Sequence, residues 1–266
     1  MTNKISVVIN TYNASRHLRQ CLDAVSGFDE VVVCDMESTD DTVAIALGRG
    51  CRVVTFPKAH HTCAEPARTF AIQSARCDWV LVVDADEVVT PQLRRYLYRR
   101  IGEDGCPQGL YIPRRNKFFG RWVCSRSTDY QLRFFIRQGT EWPPYAHTFP
   151  TVQGRVEHIP TSEHGVVIEH LEDESMHEYI AKANHYTDSE VDKKAGRHYG
   201  LWALLWRPRW RFFKKYVLDG AFLEGRRGYI RAMLAAQYQF MLVAKIMEKD
   251  IRGDACGSAG DKPSGA

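Results

Sequence analysis

The stretch WVLVVDADE, residues 79–87, ends a run of five apolar side chains in three acids, Asp84, Asp86 and Glu87. Carboxylates this close repel one another unless a cation lies between them. Hard divalent cations such as Mg²⁺ and Mn²⁺ bind through one or two carboxylates and complete their shell with water and phosphate oxygens. Two acids cannot attract a diphosphate by themselves, but with a divalent ion between them they can. The competing reading is that the D-x-D merely caps the following helix or sits solvated at a strand end. Two other places carry polar groups after apolar runs. Asn10, Thr11, Tyr12 and Asn13 follow residues 5–9, and Asp35 follows EVVVC at 30–34.

Periodicity supplies the elements that must position these groups. Residues 5–9, 30–34, 51–56 and 79–83 are β-branched or apolar runs of strand length. Ser15 is placed to cap a helix with Leu18, Cys21, Leu22 and Val25 on one face. Residues 38–41 (STDD) read as the start of a second helix carrying Val43, Ala46 and Leu47. A third helix at 65–75 would face inward with Ala67, Phe70, Ala71 and Ser74. A fourth is capped by Thr90, with Pro91 in its first turn and Leu93 and Leu97 inside. Strands alternating with helices form a parallel sheet with helices on its faces. In such sheets ligands bind beyond the carboxyl ends of the strands, so the polar groups after three strands are expected at one rim.

The chain has 266 residues, 44% hydrophobic and 26% charged, with a net charge of +4. That excess is too small to indicate a nucleic-acid partner, and none is expected. The charge is unevenly spread, however. Residues 93–137 and 197–231 are rich in arginine and aromatics, which suits an anionic partner. Eight cysteines show no C-x-x-C pair, so buried reduced thiols in a reducing compartment are expected. No secretory leader and no membrane-spanning helix are expected. From about residue 105 the texture changes. Residues 110–113 and 131–137 look like strands, 176–187 has helical spacing, and GLWALLWRPRWRFFKKY opens an amphipathic stretch to about 249.

The segments SVVINTYNASRHLRQCLDAV, VVVCDMESTDDT and ARTFAIQSARCDWVLVVDADE, in that order over about residues 5–87, resemble glycosyltransferase family 2. Met36 stands where the family's D-D-G-S-x-D-x-T motif has a second Asp. In Ala67-Arg68-Thr69-Phe70-Ala71 the Arg of A-R-N-x-G is kept, while Asn and Gly are lost. RRNKFFGRWV, TDYQLRFF, YIAKANHYT and RPRWRFFKKYVLDGAFLEGRRG further resemble the lipopolysaccharide-core glucosyltransferases that extend an inner-core heptose. That likeness runs to about residue 248. His147-Thr148 replaces a common His-Glu in those enzymes.

The resemblance implies an α/β, Rossmann-like GT-A fold with a mostly parallel sheet, helices on both faces and a C-terminal helical appendage. The expected organisation is a glycosyltransferase domain at 1–200, split into a nucleotide-binding half (1–104) and an acceptor half (105–200). An amphipathic helical region at 201–250 and a disordered tail at 251–266 follow. The implied activity is inverting transfer of a hexose, glucose by resemblance, from a UDP-sugar to a lipopolysaccharide-core or related glycolipid acceptor, assisted by Mg²⁺ or Mn²⁺. Thr11, Tyr12, Asn13, Asp35, Arg68, Asp84 and Ala85 would surround the nucleotide sugar. Asp35 would accept from the uracil imide, Arg68 would lie near the base or phosphates, Asp84 near the ribose, and Asp86 would bind the metal. Asp129 matches the family's acidic position for the base that deprotonates the acceptor. Its alternative is an ion pair with one of the many nearby arginines, for example Arg126 or Arg133. His60, His61, His147 and His170 are surface or core histidines by default, with His170 a candidate at the rim.

The aromatic and basic residues from Trp202 to Lys215 suit an anionic membrane surface, which would hold a cytoplasmic enzyme at the inner face of the cytoplasmic membrane. The alternative packs them onto the catalytic domain and acceptor phosphates. VVDADEVVT also fits the D-x-D-x-[TV] loop of haloacid-dehalogenase phosphatases, but there the motif follows the first strand, whereas here three strands precede it. An inactive glycosyltransferase-like binding protein is the remaining alternative, against which the intact D-x-D and Asp35 speak.

Overall fold

Ile5, Val7, Val8 and Ile9 are all fully buried, as an apolar run without alternation requires when both faces of a strand are covered. The computed structural model that shows this describes residues 3–59, 61, 64–144, 148–173, 175–194 and 196–257. In chain order the elements are β1 (Ile5–Thr11), α1 (Ser15–Val25), β2 (Glu30–Asp35), α2 (Thr42–Gly48), β3 (Arg52–Thr55) and α3 (Glu65–Ser74). Then come β4 (Trp79–Asp84), β5 (Glu87–Val89), α4 (Pro91–Ile101), β6 (Gly109–Phe118), β7 (Arg121–Trp122) and β8 (Asp129–Ile136). The last are β9 (Val156–His158), β10 (Ile168–His170), α5 (Met176–Lys193), α6 (Leu201–Phe213) and α7 (Arg226–Gly257), with a π-helical turn, Lys214–Leu218, after α6. They fall into two compact units. The first is Met1–Lys117 with Thr128–Glu172, and the second is Phe118–Ser127 with Asp173–Ala266.

In the first unit the strands lie in the order β3-β2-β1-β4-β8-β6-β10-β5, with β9 beside β6. The four strands β3, β2, β1 and β4 run parallel, and β8 joins them antiparallel to β4. One face buries Ile5, Val7 and Ile9 of β1 under Leu18, Cys21 and Leu22 of α1, Ile45 of α2 and Leu93 and Leu97 of α4. The other buries Val8, Val32, Val80 and Val82 under Ala67, Ala71 and Ile72 of α3. Helices therefore cover both faces, the expected GT-A arrangement. Trp79 stacks on Phe134 with ring centroids 5.0 Å apart. Such a pair contributes about 0.5–1.5 kcal/mol beyond its buried area, and here it anchors β8, the strand that begins at Asp129.

Several local details depart from the sequence reading. Ser15 is the first residue of α1 and does not cap it. Its amide instead donates to Asp40 Oδ2 at 3.2 Å, from the next loop. α2 begins at Thr42, because Ser38 folds back onto Asp35 and Thr39 onto Asn13. α3 is rotated about its axis: it buries Ala67, Arg68, Ala71 and Ile72 and leaves Phe70 43% exposed. β5 has no signal in the sequence, since a three-residue strand carries no periodicity of its own. The cap on α4 is as expected, with Thr90 Oγ1 accepting from Leu93 N at 3.2 Å. The same hydroxyl contacts Gly165 O at 2.7 Å, so it ties two loops together. Thr90→Ala is expected to lower stability by about 1–2 kcal/mol, the upper part of the range for a lost cap, measurable as a shift of the urea midpoint at constant slope.

Among the described residues Cys21, Cys34, Cys51, Cys77, Cys106 and Cys124 are free, the last exposed. Burial pushes the Cys34 thiol up to about 12, so it is an inert core residue. Cys63, His60 and His147 lie outside the described residues, as do residues 258–266 of the tail, while α7 itself runs to Gly257. In the second unit α5 opens with a capping box, Ser175 and Glu178, and packs Ala183, Thr187 and Val191 inward.

Candidate active site

β1, β2 and β4 end level with one another, with Thr11 opposite Asp35 and Asn10 opposite Asp84 in the ladders. This register brings the polar ends of three strands to one rim. Asp35 is buried and accepts from Thr11 Oγ1 at 2.8 Å, Ser38 Oγ at 2.6 Å and Ser38 N at 2.8 Å. A carboxylate has about four lone-pair sites, so one stays open on Oδ2. Asn13 takes the left-handed conformation with φ 48°, which asparagine tolerates. Its Oδ1 accepts from Thr39 N at 2.8 Å and its own N donates to Ser38 Oγ at 2.9 Å, so it locks the loops after β1 and β2 together. The Tyr12 ring is half exposed, with Lys58 Nζ 4.3 Å from its centroid.

The acids after β4 have three different environments. Asp84 neither caps a helix nor lies free in solvent. Its carboxylate accepts from Arg68 Nη2 at 2.9 Å and from both terminal nitrogens of Arg133. Burial alone would raise its pKa, but Arg133 and then Arg68 overcome that and hold it well below the usual carboxylate range. Glu87 is fully buried. It accepts from the Asp84 amide at 2.9 Å and faces Arg114 at 3.4 Å and Arg133 at 3.8 Å. Burial is the larger influence on Glu87 and raises its pKa, with Arg133 opposing and Asp84 adding. Asp86 is paired differently: its Oδ2 lies 3.2 Å from His170 Nε2 at the end of β10. Burial works against a charged imidazole at His170, but the Asp86 carboxylate outweighs it and raises that pKa. Ala85, between them, packs partly buried against the α1 side of the core.

Asp129 opens β8 and accepts from Arg114 Nε at 2.9 Å, Asn116 Nδ2 at 3.0 Å and Gln131 Nε2 at 2.8 Å. Its ion-pair partner is thus Arg114, and neither Arg126 nor Arg133 takes that place. Burial opposes ionisation, and Arg114 with the two amides reverses it, leaving a lowered pKa. Arg68, Asp84, Arg133, Glu87, Arg114 and Asp129 form one chain of alternating charge from α3 to the start of β8. Asn116, which holds Asp129, is the ladder partner of His170. The carboxylate read as a base and the Asp86–His170 pair therefore share one end of the sheet.

A second group of polar atoms is buried without partners: Asn10 Nδ2 and Oδ1, Arg68 Nε and Nη1, and Trp142 Nε1. The Arg68 guanidinium lies 4.5 Å from the centroid of the Trp142 ring. Unpaired buried polar atoms cost about 1–3 kcal/mol each, so a polar partner from outside the chain, water included, is favoured there.

Asp86 Oδ2 and His170 Nε2 offer an oxygen and a nitrogen donor within reach of a single ion, and both side chains are partly exposed. Among the described residues there is no group of three or more potential ligands. The carboxylate oxygen suits Mg²⁺ or Mn²⁺, which keep water and phosphate in their remaining positions, while the imidazole nitrogen favours Mn²⁺ over Mg²⁺. The spacing of Arg114 and Asn116, and of Asp129 and Gln131, is visible in the sequence, whereas Arg133 is the extra residue of a bulge in the β6–β8 ladder and carries no such signal. Polar residues two apart share one face of a strand. The pairing of Asp86 with His170, 84 residues apart, carries no local signal. His61 packs against Phe56.

The chain belongs to glycosyltransferase family 2: residues 6–157, more than half of its length, match the family described as Glycosyl transferase family 2. It is 26% identical to an uncharacterized glycosyltransferase of Rickettsia conorii, over 95% of this chain and 93% of that protein. It is 24% identical to the lipopolysaccharide core biosynthesis glycosyltransferase LpsC of Rhizobium meliloti, over 92% of each. Among solved structures, TarS residues 1–349 of S. aureus align over 94% of this chain and 92% of that one, with a TM-score of 0.49 and 14% identity. Glucosyl-3-phosphoglycerate synthase of Mycobacterium tuberculosis aligns over 44% of each chain, with a TM-score of 0.36 and 24% identity. The family membership sets aside the phosphatase reading of residues 82–90.

Proposed function

We propose that this protein transfers a hexose from a UDP-sugar to a lipopolysaccharide-core or related glycolipid acceptor, with inversion at the anomeric carbon. The observation that supports it most is the Asp86–His170 pair, set beside Asp84 at the carboxyl end of β4 and sharing a sheet end with Asp129. The relationship to LpsC supports the class of acceptor. Glucose is the sugar proposed.

In this reading Tyr12 offers a ring face to the uracil, Thr11 holds Asp35, and the open lone pair of Asp35 Oδ2 takes the imide N–H. Asn13 fixes the loop that carries Tyr12. Arg68, pinned by Asp84 and Trp142, turns its two unpartnered nitrogens toward the nucleotide, and Asp84 together with the Ala85 backbone borders the ribose. Asp86 and His170 would hold a divalent cation, whose charge offsets that of the departing diphosphate. Asp129 receives the proton of the acceptor hydroxyl. Three of its four lone-pair sites are occupied by Arg114, Asn116 and Gln131, and the fourth, on Oδ1, is free for that proton. Its donors make it a weaker base than a free carboxylate but keep it ionised and aimed. A lipid-linked acceptor puts the enzyme's working position at the cytoplasmic face of a membrane, where nucleotide sugars are made.

The test is transfer itself. Core oligosaccharide from a strain lacking this gene is incubated with the protein, Mn²⁺ and UDP-glucose, UDP-galactose or UDP-N-acetylglucosamine in turn. A mass gain of one hexose from UDP-glucose is expected. No gain from any UDP-sugar, with a correctly folded protein, would remove the reading. A gain from UDP-galactose alone would correct the sugar.

A further inference from the structure

α6 and the π-helical turn after it are built inside out. α6 packs on α7 within the second unit, yet none of its residues is fully buried. Trp202, Trp206, Trp210, Phe213 and Val217 recur every three or four residues, which puts them on one side of the helix. That side is the exposed one: Trp202 is 83% and Trp206 63% accessible, and Trp210, Phe213 and Val217 are all exposed. Leu205 and Leu218 widen the stripe and are exposed too. An ordinary surface helix turns such residues inward. A contiguous exposed apolar stripe of this kind marks an interaction surface.

The charges next to the stripe say what it meets. Arg209 falls within the stripe and Lys214 at its edge, both exposed, whereas Arg211 is exposed on the far side of the helix. Arg207 lies against Tyr199, and Lys215 pairs with Asp219 at 3.3 Å, so these two serve the fold. Residues 201–218 contain no Asp or Glu. A second copy docked on this face would set Arg209 and Lys214 against their own counterparts. Anionic headgroups would complement them, and indole rings settle at headgroup depth. No described helix is long and apolar enough to cross a membrane, so the contact fits a helix lying in the interface.

We propose that the outer face of residues 202–217 docks this protein onto an anionic lipid surface, with the tryptophans at headgroup level and Arg209 and Lys214 on lipid phosphates. Docking of this kind is independent of the transfer reaction, because it requires neither nucleotide sugar nor acceptor.

The experiment is co-sedimentation of the full chain with phosphatidylglycerol-containing vesicles and with pure phosphatidylcholine vesicles, at low and high salt. Wild type is expected to bind the anionic vesicles at low salt and to be released by salt. Arg209→Gln/Lys214→Gln should lower the partition coefficient about 25-fold, at roughly fivefold per charge. Trp202→Ser/Trp206→Ser should abolish binding. Both tryptophans are largely exposed, so that variant should melt like wild type, and tryptophan fluorescence should shift to the blue only when anionic vesicles are added to a protein that retains them. Failure of wild type to bind at low salt, or equal binding to both vesicles, would overturn the proposal. Self-association in the absence of lipid that the tryptophan substitutions abolish would also overturn it, in favour of a second copy.

Discussion

Replacing Arg133 by methionine is expected to cost about 3–5 kcal/mol of stability, the range for removing one partner of a buried ion pair. Arg133 is buried and bonds both oxygens of Asp84 while facing Glu87. Methionine fills similar space but leaves two carboxylates side by side with less positive charge between them. At about 2–4 °C per kcal/mol for a unit of this size, the melting temperature should fall by roughly 6–20 °C. Arg133→Lys should fall between, since it keeps the charge and loses the two-pronged contact. The pH dependence follows from the direction of the Asp84 shift. A carboxyl whose folded-state pKa is lowered stabilises the protein above its unfolded pKa of about 3.9. That contribution is lost as pH falls through the folded value. The gap between wild type and Arg133→Met should therefore be full at neutral pH and narrow in acid. An equal gap at pH 7 and below pH 3 would mean that Arg133 acts through packing alone.

Asp129→Asn is expected to lower kcat by about 10²–10⁴-fold, the contribution of a positioned general base, with the KM for the donor unchanged. The change is nearly isosteric, and a carbonyl oxygen in the place of Oδ2 can still accept from Arg114 and Asn116 while the bond from Gln131 to Oδ1 is lost, so the melting temperature should hold within a few degrees. Because Arg114 holds Asp129 below the usual carboxylate range, wild-type activity should not decline through loss of this base until the pH is below that range. UDP release with a real acceptor measures both effects. Near-full kcat in Asp129→Asn would assign the base elsewhere and leave Asp129 as the end of the ion chain.

Much of the parallel sheet is legible in the sequence because β1, β2 and β4 are unbroken apolar runs, and each is followed by the polar residue that reaches the rim. What the sequence hides is tertiary. Helical spacing in α3 points Phe70 and Ser74 inward, but Arg68 must be buried to reach Asp84, and the helix turns accordingly. The STDD stretch reads as a helix start, yet Ser38 and Thr39 bond Asp35 and Asn13, and the helix waits until Thr42. Asp129 could be paired with an arginine on composition alone, but which one depends on the β6–β8 register, which sets Arg114 opposite it. Glu87 looks like a third exposed acid and is instead fully buried at the centre of the charge chain. The aromatic and basic residues after 200 are plain in the sequence, whereas the face they occupy is known only once α6 is packed on α7.

Calorimetric titration of UDP into the wild-type protein with Mn²⁺ and then with EDTA, repeated on Asp86→Ala and His170→Ala, tests the central proposal most directly. If these two side chains hold the metal that carries the diphosphate, wild type binds UDP far more tightly with Mn²⁺ than with EDTA. Each variant then binds with the weak, metal-independent affinity of wild type in EDTA, while melting at an unchanged temperature. Equal UDP affinity with Mn²⁺ and with EDTA in wild type, or full metal dependence surviving in both variants, would contradict it.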